Sequence, residues 1–289
     1  MDRERSDLDS DIEISEHDKH SFRAFFKSGW SNLIRMMGTN ALFVIFNIPA
    51  IVIAYFFAVI FIPVLSTSLH WDVFIMIVED GVPQISYQLY SLLVMYFVMA
   101  LVSSCLVCVG PFQAGFARVY KNIREGVSVS LFSDFKQGMK NNIGKSIASM
   151  VIGIIISAIL ILAVSFYLNL ASTVGTVIAC IFGVLFFAFI LVQNFVYNLM
   201  VSTDLSLFKI YKNAVLFVLI RFGPCFGVAL LVILLYFAIP FFLLMSASFL
   251  TLGVYMFMYT FIVISWMQYY ISFFTGKLID KYVAVKSQE

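Results

Sequence analysis

The sequence IASMVIGIIISAILILAVSFYLNL occupies Ile147–Leu170 and contains no charged side chain. A helix of this length rises about 36 Å, which exceeds the roughly 30 Å hydrocarbon core of a bilayer. A helix satisfies its own backbone polar groups in lipid, and the stretch lacks the alternating polarity of barrel strands. It therefore predicts a transmembrane helix.

Five further apolar runs predict five further spans, at Ala41–Val64, Leu89–Val109, Val174–Met200, Phe222–Met245 and Ser248–Tyr270. Hydrophobic residues make up 62% of the chain and charged residues 12%, against about 45–50% and about 25% in soluble domains. The sequence thus predicts an all-α integral membrane protein. It comprises an acidic, disordered tail over residues 1–19 and a single six-helix transmembrane domain over residues 20–289.

The basic residues predict the orientation. All 18 of them lie before the first span, after the sixth, or in the connections between spans two and three and spans four and five. Because Lys and Arg are enriched on the cytoplasmic side of membrane proteins, we expect both termini to be cytoplasmic.

Amphipathic segments precede three of the spans, at Ser21–Met37, Leu131–Lys145 and Leu205–Val215. In the first, basic residues such as Lys27 and Arg35 share one helical face, and Phe25 and Trp30 lie on the other. Such a distribution predicts helices that lie in the membrane interface.

Each amphipathic segment also carries a Phe-Lys pair followed by an asparagine. The three sets are Phe26-Lys27 with Asn32, Phe135-Lys136 with Asn141, and Phe208-Lys209 with Asn213. A threefold repeat of interfacial helix plus transmembrane hairpin is one hypothesis, and chance matching of short motifs is the other.

Catalytic and coupling groups are missing from the sequence. It has no phosphate-binding G-x-x-x-x-G-K-[ST] loop and no H-E-x-x-H zinc motif, and its three histidines cannot form a cluster. The spans contain no carboxylate or basic side chain, which disfavours an ion-coupled pump. We therefore predict a non-enzymatic protein with no catalytic residue, cofactor, metal site or nucleic-acid partner.

Neutral polar side chains within the spans are the candidate functional residues: Asn47, Gln193, Asn194, Asn198 and Gln268. One interpretation is interhelical hydrogen bonding, worth about 1 kcal/mol for each bond. The other is a polar cavity for a sugar-like ligand, or a partner contact. Both interpretations remain open from the sequence.

Small residues recur at four-residue spacing in three places, where helix backbones can approach closely. The sets are Ala50 with Ala54 and Ala58, Gly175 with Ala179 and Gly183, and Gly223 with Gly227. They serve either packing within the bundle or contact with a second protein.

The end of the second span holds two further motifs. Gly110-Pro111 predicts a break followed by a new helix over Phe112–Arg124, because proline disfavours helix in the preceding residue. Cys105 and Cys108 form a C-x-x-C without a nearby histidine, and we interpret them as small buried apolar residues rather than as a redox or metal site.

A family resemblance rests on the stretch Gly110-Pro111-Phe-Gln-Ala-Gly115, on Val129–Lys136 with its Asp134, and on Leu199–Ala214 with Asp204, Lys209 and Asn213. Together these motifs resemble the YesL-like membrane proteins of Gram-positive bacteria, and the resemblance covers roughly residues 20–285. Members of that family have no established biochemical activity. They are often encoded beside carbohydrate importers of the ABC type.

The resemblance implies a multi-pass protein of a bacterial plasma membrane, with an accessory role in carbohydrate uptake or its regulation and a carbohydrate ABC permease as partner. It carries over no catalytic residue. The alternative is a stand-alone transporter or channel for a neutral solute, lined by the five amides. From the residues themselves, Thr203 or Asp204 is expected to cap the helix that begins at Leu205.

Overall fold

The computed structural model describes residues 21–65, 83–245 and 248–283. Within these ranges the regular structure is entirely helical, as predicted. The acidic tail predicted over residues 1–19 lies outside them. The helices are α1 (Phe22–Ser31), α2 (Leu33–Phe46), α3 (Ile48–Leu65), α4 (Pro83–Ser103), α5 (Gly110–Arg124), α6 (Leu131–Asn141), α7 (Ile143–Asn169), α8 (Thr173–Ser202), α9 (Leu207–Ile220), α10 (Phe222–Ile233), α11 (Ile239–Met245), α12 (Phe249–Phe261) and α13 (Val263–Tyr282), with a π-helical turn (Leu234–Ala238) between α10 and α11.

Three helical stretches are long and apolar enough to cross a membrane: Ile143–Asn169, Thr173–Ser202 and Phe222–Leu244. Two bent pairs add up to two more, since α2 and α3 meet at 58° and α12 and α13 at 43°. The described residues thus contain three to five candidate spans. The apolar part of α4, Tyr90–Ser103, is shorter than these stretches, so the second predicted span and the count of six stay predictions. The orientation of the chain also stays a prediction.

Helix α5 lies inside the bundle and packs against α6, α7, α8 and α13. The chain leaves helical structure between Ser104 and Val109 and restarts at Gly110, which confirms the predicted break at Gly110-Pro111. The new helix begins at Gly110, two residues before the predicted Phe112. Pro111 fits in the first helical turn because the N–H that proline lacks would have no partner within the helix there.

Glycines bring α5 close to its neighbours. A Cβ on Gly110 would lie 2.7 Å from the backbone carbonyl carbon of Ser146, and one on Gly115 would lie 2.6 Å from the ring of Phe135. Real side chains do not reach such distances without moving the neighbouring backbone or ring. Glycine at these two positions is therefore what allows α7 and α6 to pack directly on α5.

Asparagines satisfy the backbone groups that the helix breaks expose. At the α2–α3 bend, Asn47 donates to the carbonyl of Phe43 at 2.9 Å and accepts from the N–H of Val109 at 3.0 Å. At the α12–α13 bend, Asn40 donates to the carbonyl of Tyr259 at 2.7 Å and accepts from the N–H of Ser265 at 2.6 Å. Unpaired backbone groups are costly in lipid, so these side chains stabilise the bends.

Helix α1 divides its apolar side chains between the core and the surface. Phe25 is buried and stacks on Tyr269 of α13 with ring centroids 5.1 Å apart. Phe26 and Trp30 are exposed, although the sequence predicts Trp30 on the same apolar face as Phe25. Helix α1 is thus anchored to the bundle on one side and presents aromatic rings on another.

The three amphipathic segments end in different ways. The first and second, predicted over Ser21–Met37 and Leu131–Lys145, are each interrupted by a break, at Asn32 and at Asn142, which are at or next to the asparagines of the proposed repeat. In the third, α9 continues past Asn213 and ends at Ile220 before a break at Arg221. The threefold repeat therefore stays a hypothesis.

Candidate functional site

The predicted amides are all buried, but they do not form one group. Gln268 of α13 donates to the side-chain oxygen of Asn194 on α8 at 2.9 Å. Asn198 donates to the backbone carbonyl of Asn194, one turn earlier on its own helix, at 3.0 Å. Gln193 faces α7, and Asn47 lies at the α2–α3 bend. The structure therefore pairs Asn194 with Gln268 and disperses the rest.

Asn194 and Gln268 form the centre of the arrangement, which we call the amide core. Asn194 donates to the carbonyl of Ser104, in the non-helical segment before α5, at 2.9 Å. Gln268 also donates to the sulfur of Cys105 at 3.2 Å and accepts from Gln113 of α5 at 3.4 Å. These bonds join α8, α13, α5 and the break that precedes α5.

A second set of bonds extends from Gln193. Its amide donates to the carbonyl of Ser149 on α7 at 3.1 Å and accepts from the hydroxyl of Tyr211 on α9 at 2.9 Å. Tyr211 lies outside the candidate spans, and its burial raises the pKa of the phenol. The hydroxyl therefore stays protonated and remains a donor.

The cysteine pair belongs to the same region. Cys105 and Cys108 are buried and not disulfide-bonded, which agrees with the interpretation of small buried residues. Cys108 lies 3.4 Å from the Tyr197 hydroxyl. The backbone φ of Cys105 is 60°, a conformation that residues other than glycine adopt at a cost of about 1–3 kcal/mol. Within the described ranges no cluster of His, Cys, Asp or Glu has the arrangement of a metal site.

The amide core offers neutral hydrogen-bonding groups and no buried charge. Among the described residues, three buried polar atoms near it have no hydrogen-bond partner: the hydroxyls of Ser103 and Tyr236 and the amide oxygen of Gln113. Buried groups of this kind commonly bind water or a polar ligand. The arrangement can therefore hold a neutral polar group.

Sequence reasoning missed several members of these networks. Gln113 lies in a segment that was assigned to a cytoplasmic connection, although it is part of the family-like Gly110–Gly115 stretch. Ser149 and Tyr211 carried no signal, because isolated hydroxyls are common in apolar helices. Their role depends on α7 and α9 packing against α8.

The other family-like positions have structural roles or lie on the surface. Asp134 accepts from the N–H of Ser130 at 3.0 Å and closes the start of α6. Asp204 and Lys209 are exposed, and Asn213 is half-buried. The predicted cap at Thr203 or Asp204 is wrong, because α9 begins at Leu207 after Ser206. The hydroxyl of Thr203 instead donates to the carbonyl of Leu199 at 2.8 Å, at the end of α8.

In the part of the chain that the structure describes, two of the cavities lie away from the amide core. An apolar one of about 210 Å³ lies between α4, α7 and α8, where Phe97, Ile161 and Phe186 contribute to its wall. A polar cleft of about 870 Å³ lies between α1, the end of α5 and α13. We call it the basic cleft, since Lys27, Arg35 and Arg124 are part of its lining.

The chain matches no protein-family model, no curated protein and no solved structure. The resemblance to the YesL-like proteins consequently stays a prediction from the residues.

Proposed function

We propose that this chain is a non-enzymatic accessory membrane protein that docks on a carbohydrate permease of the ABC type. The observation that carries the docking is the outer face of α10, where Gly223 and Gly227 have open space in place of a side chain. The permease as partner rests on the family resemblance.

The three small-residue faces differ in what they contact. Ala50, Ala54 and Ala58 are buried within the bundle, and the same holds for Gly175 and Ala179. Gly223 and Gly227 are exposed beside the exposed rings of Phe222 and Phe226. Small residues allow a second helix to approach the backbone closely, so this face suits a partner helix in the membrane.

Affinity purification from native membranes tests the proposal. The expected result is co-purification of a carbohydrate permease, reduced about tenfold or more by the double substitution Gly223→Leu and Gly227→Leu, since a loss of 1.4 kcal/mol is already tenfold. The added side chains would hold the partner helix away from α10.

Gly253→Leu is the matched control, because Gly253 of α12 is also exposed and also has open space around it. Its co-purification is expected to equal that of the unaltered chain. The proposal fails if no permease or product of a carbohydrate operon co-purifies. The docking face is wrongly placed if Gly253→Leu weakens co-purification as much as the double substitution.

A stand-alone transporter for a neutral solute is the second candidate, and the helix break beside the amide core favours it. Discontinuous helices frequently form the binding sites of secondary transporters, and the break before α5 lies beside Asn194, which donates to the Ser104 carbonyl there. Purified protein in liposomes would then move a neutral sugar, and Asn194→Leu would slow that movement about tenfold or more. Liposomes that move no sugar above the protein-free rate contradict this candidate.

A further inference from the structure

The basic cleft has the size and lining of a ligand site. Its volume of about 870 Å³ lies within the roughly 300–1,000 Å³ typical of small-molecule sites. Among the described residues, its charged lining consists of Lys27, Arg35, Arg124, Glu125 and Asp280. Three positive and two negative side chains leave a net charge of +1, which suits a ligand with one negative charge.

Arg124 is fixed in the wall of the cleft. Its side chain is only 6% exposed and pairs with Glu125 at 2.8 Å. One guanidinium nitrogen donates to the carbonyl of Ser272 at 2.8 Å. A Cβ on Gly276 would lie 2.7 Å from the Arg124 Nε, so this glycine provides the space in which the guanidinium lies.

Helix α1 and the first turn of α2 form the opposite wall. Lys27, Ser31 and Arg35 line the cleft there. The residue before each of them has an exposed apolar side chain, with exposed fractions of 47%, 70% and 85% for Phe26, Trp30 and Ile34. Basic side chains beside exposed aromatic and aliphatic ones are typical of helices at the headgroup level of a membrane.

The position of α1 is held by the rest of the bundle. Phe25 packs among aromatic rings of α13, and the Ser28 hydroxyl donates to the carbonyl of Ile123 near the end of α5 at 2.8 Å. Arg35 is oriented by a 2.7 Å bond to the side-chain oxygen of Asn32. The two exposed cations therefore line a cleft whose walls are held in place by contacts within the bundle.

We propose that the basic cleft binds the headgroup of an anionic phospholipid. Lys27 and Arg35 contact the phosphate diester, the exposed side chains of Phe26, Trp30 and Ile34 lie along the acyl chains, and the carboxylate of Glu125 accepts from headgroup hydroxyls. Basic pockets between helices at the headgroup level recognise anionic lipids in this way.

Titration of the purified protein with phosphatidylglycerol in mixed micelles, followed by native mass spectrometry, tests this. Parallel arms use phosphatidylcholine, phosphatidylethanolamine and soluble glycerol 1-phosphate. We expect phosphatidylglycerol to bind more tightly than all three. The double substitution Lys27→Gln and Arg35→Gln is expected to weaken its binding about 25-fold, at about fivefold for each basic residue.

Lys136→Gln with Lys140→Gln is the matched control, since it removes the same charge from exposed positions on α6 that do not line the cleft. Phosphatidylglycerol binding of this control is expected to stay within about twofold of the unaltered protein. Equal binding of phosphatidylglycerol and phosphatidylethanolamine overturns the proposal. So does equal weakening in the control, or binding of soluble glycerol 1-phosphate as tight as that of the lipid. Unchanged thermal unfolding of both double variants verifies that they are folded.

Discussion

Replacing Gly110 with alanine is expected to destabilise the protein by about 3 kcal/mol or more. The new Cβ would lie 2.7 Å from the carbonyl carbon of Ser146 and 3.1 Å from the Cβ of Met150. The first obstacle is backbone, which cannot move aside by a change of rotamer. Relief requires α5 and α7 to separate, and this separation removes the packing between the two helices.

Thermal unfolding in detergent, followed by circular dichroism, measures this effect against Gly144→Ala. Gly144 also lies in the first turn of its helix, but a Cβ there would meet nothing within 4 Å. Alanine at position 144 is therefore expected to be neutral or to stabilise by up to about 1 kcal/mol. If the two variants unfold at the same temperature, close approach of α5 to α7 is not what requires glycine at position 110.

The length of the apolar runs was enough to predict the straight helices. The predicted span Ile147–Leu170 corresponds to α7 at Ile143–Asn169, and the predicted Val174–Met200 corresponds to α8 at Thr173–Ser202. For these helices the composition of the sequence was sufficient to predict the local structure, because no other segment interrupts their backbone hydrogen bonds.

The bends could not be predicted in the same way. The run around Ile262 is predominantly apolar and contains no charged residue, and the bend there is stabilised by Asn40, which lies more than 200 residues earlier. Asn47 was identified as a polar residue within a span, but its partner Val109 is 62 residues away. A single sequence carries no information about such distant pairs.

For the candidate site, too, the sequence predicted the residue types but not how they are arranged. All five predicted amides are buried. Which of them join different helices depended on the packing of α8 between α7 and α13, so Asn194 and Asn198 looked equivalent in the sequence. Only the first of them bonds outside its own helix in the described contacts.

That difference leads to an expected loss of about 2–4 kcal/mol on replacing Asn194 with leucine. The substitution removes bonds to the carbonyl of Ser104 at 2.9 Å and from Gln268 at 2.9 Å. Both former partners stay buried in the bundle. The Ser104 carbonyl lies in a non-helical segment, and so it has no i+4 helical N–H to accept from in place of Asn194.

Asn198→Leu is the matched control, with the same change one turn later on the same helix. The Asn198 side chain is 3% exposed, and its described bond goes to the carbonyl of Asn194 on its own helix. That carbonyl is also positioned to accept from the backbone N–H of Asn198, so the loss is expected to stay below about 1 kcal/mol. Equal destabilisation by the two substitutions would show that burial alone, and not the bond between helices, determines the effect.

A double-mutant cycle between Asn194 and Gln268 isolates their bond. If it links α8 to α13, the combined leucine variant is expected to lose about 1–2 kcal/mol less than the sum of the single losses.

Measuring sugar movement in liposomes on the same variants separates the two candidate functions. One possible result is that the unaltered chain moves no sugar and that Asn194→Leu lowers the unfolding temperature. This result supports a structural role for the amide core in an accessory protein. The opposite result is that the unaltered chain moves sugar and that Asn194→Leu abolishes this movement without changing stability. It contradicts the structural interpretation, because the amide would then act on solute rather than on its neighbouring helix.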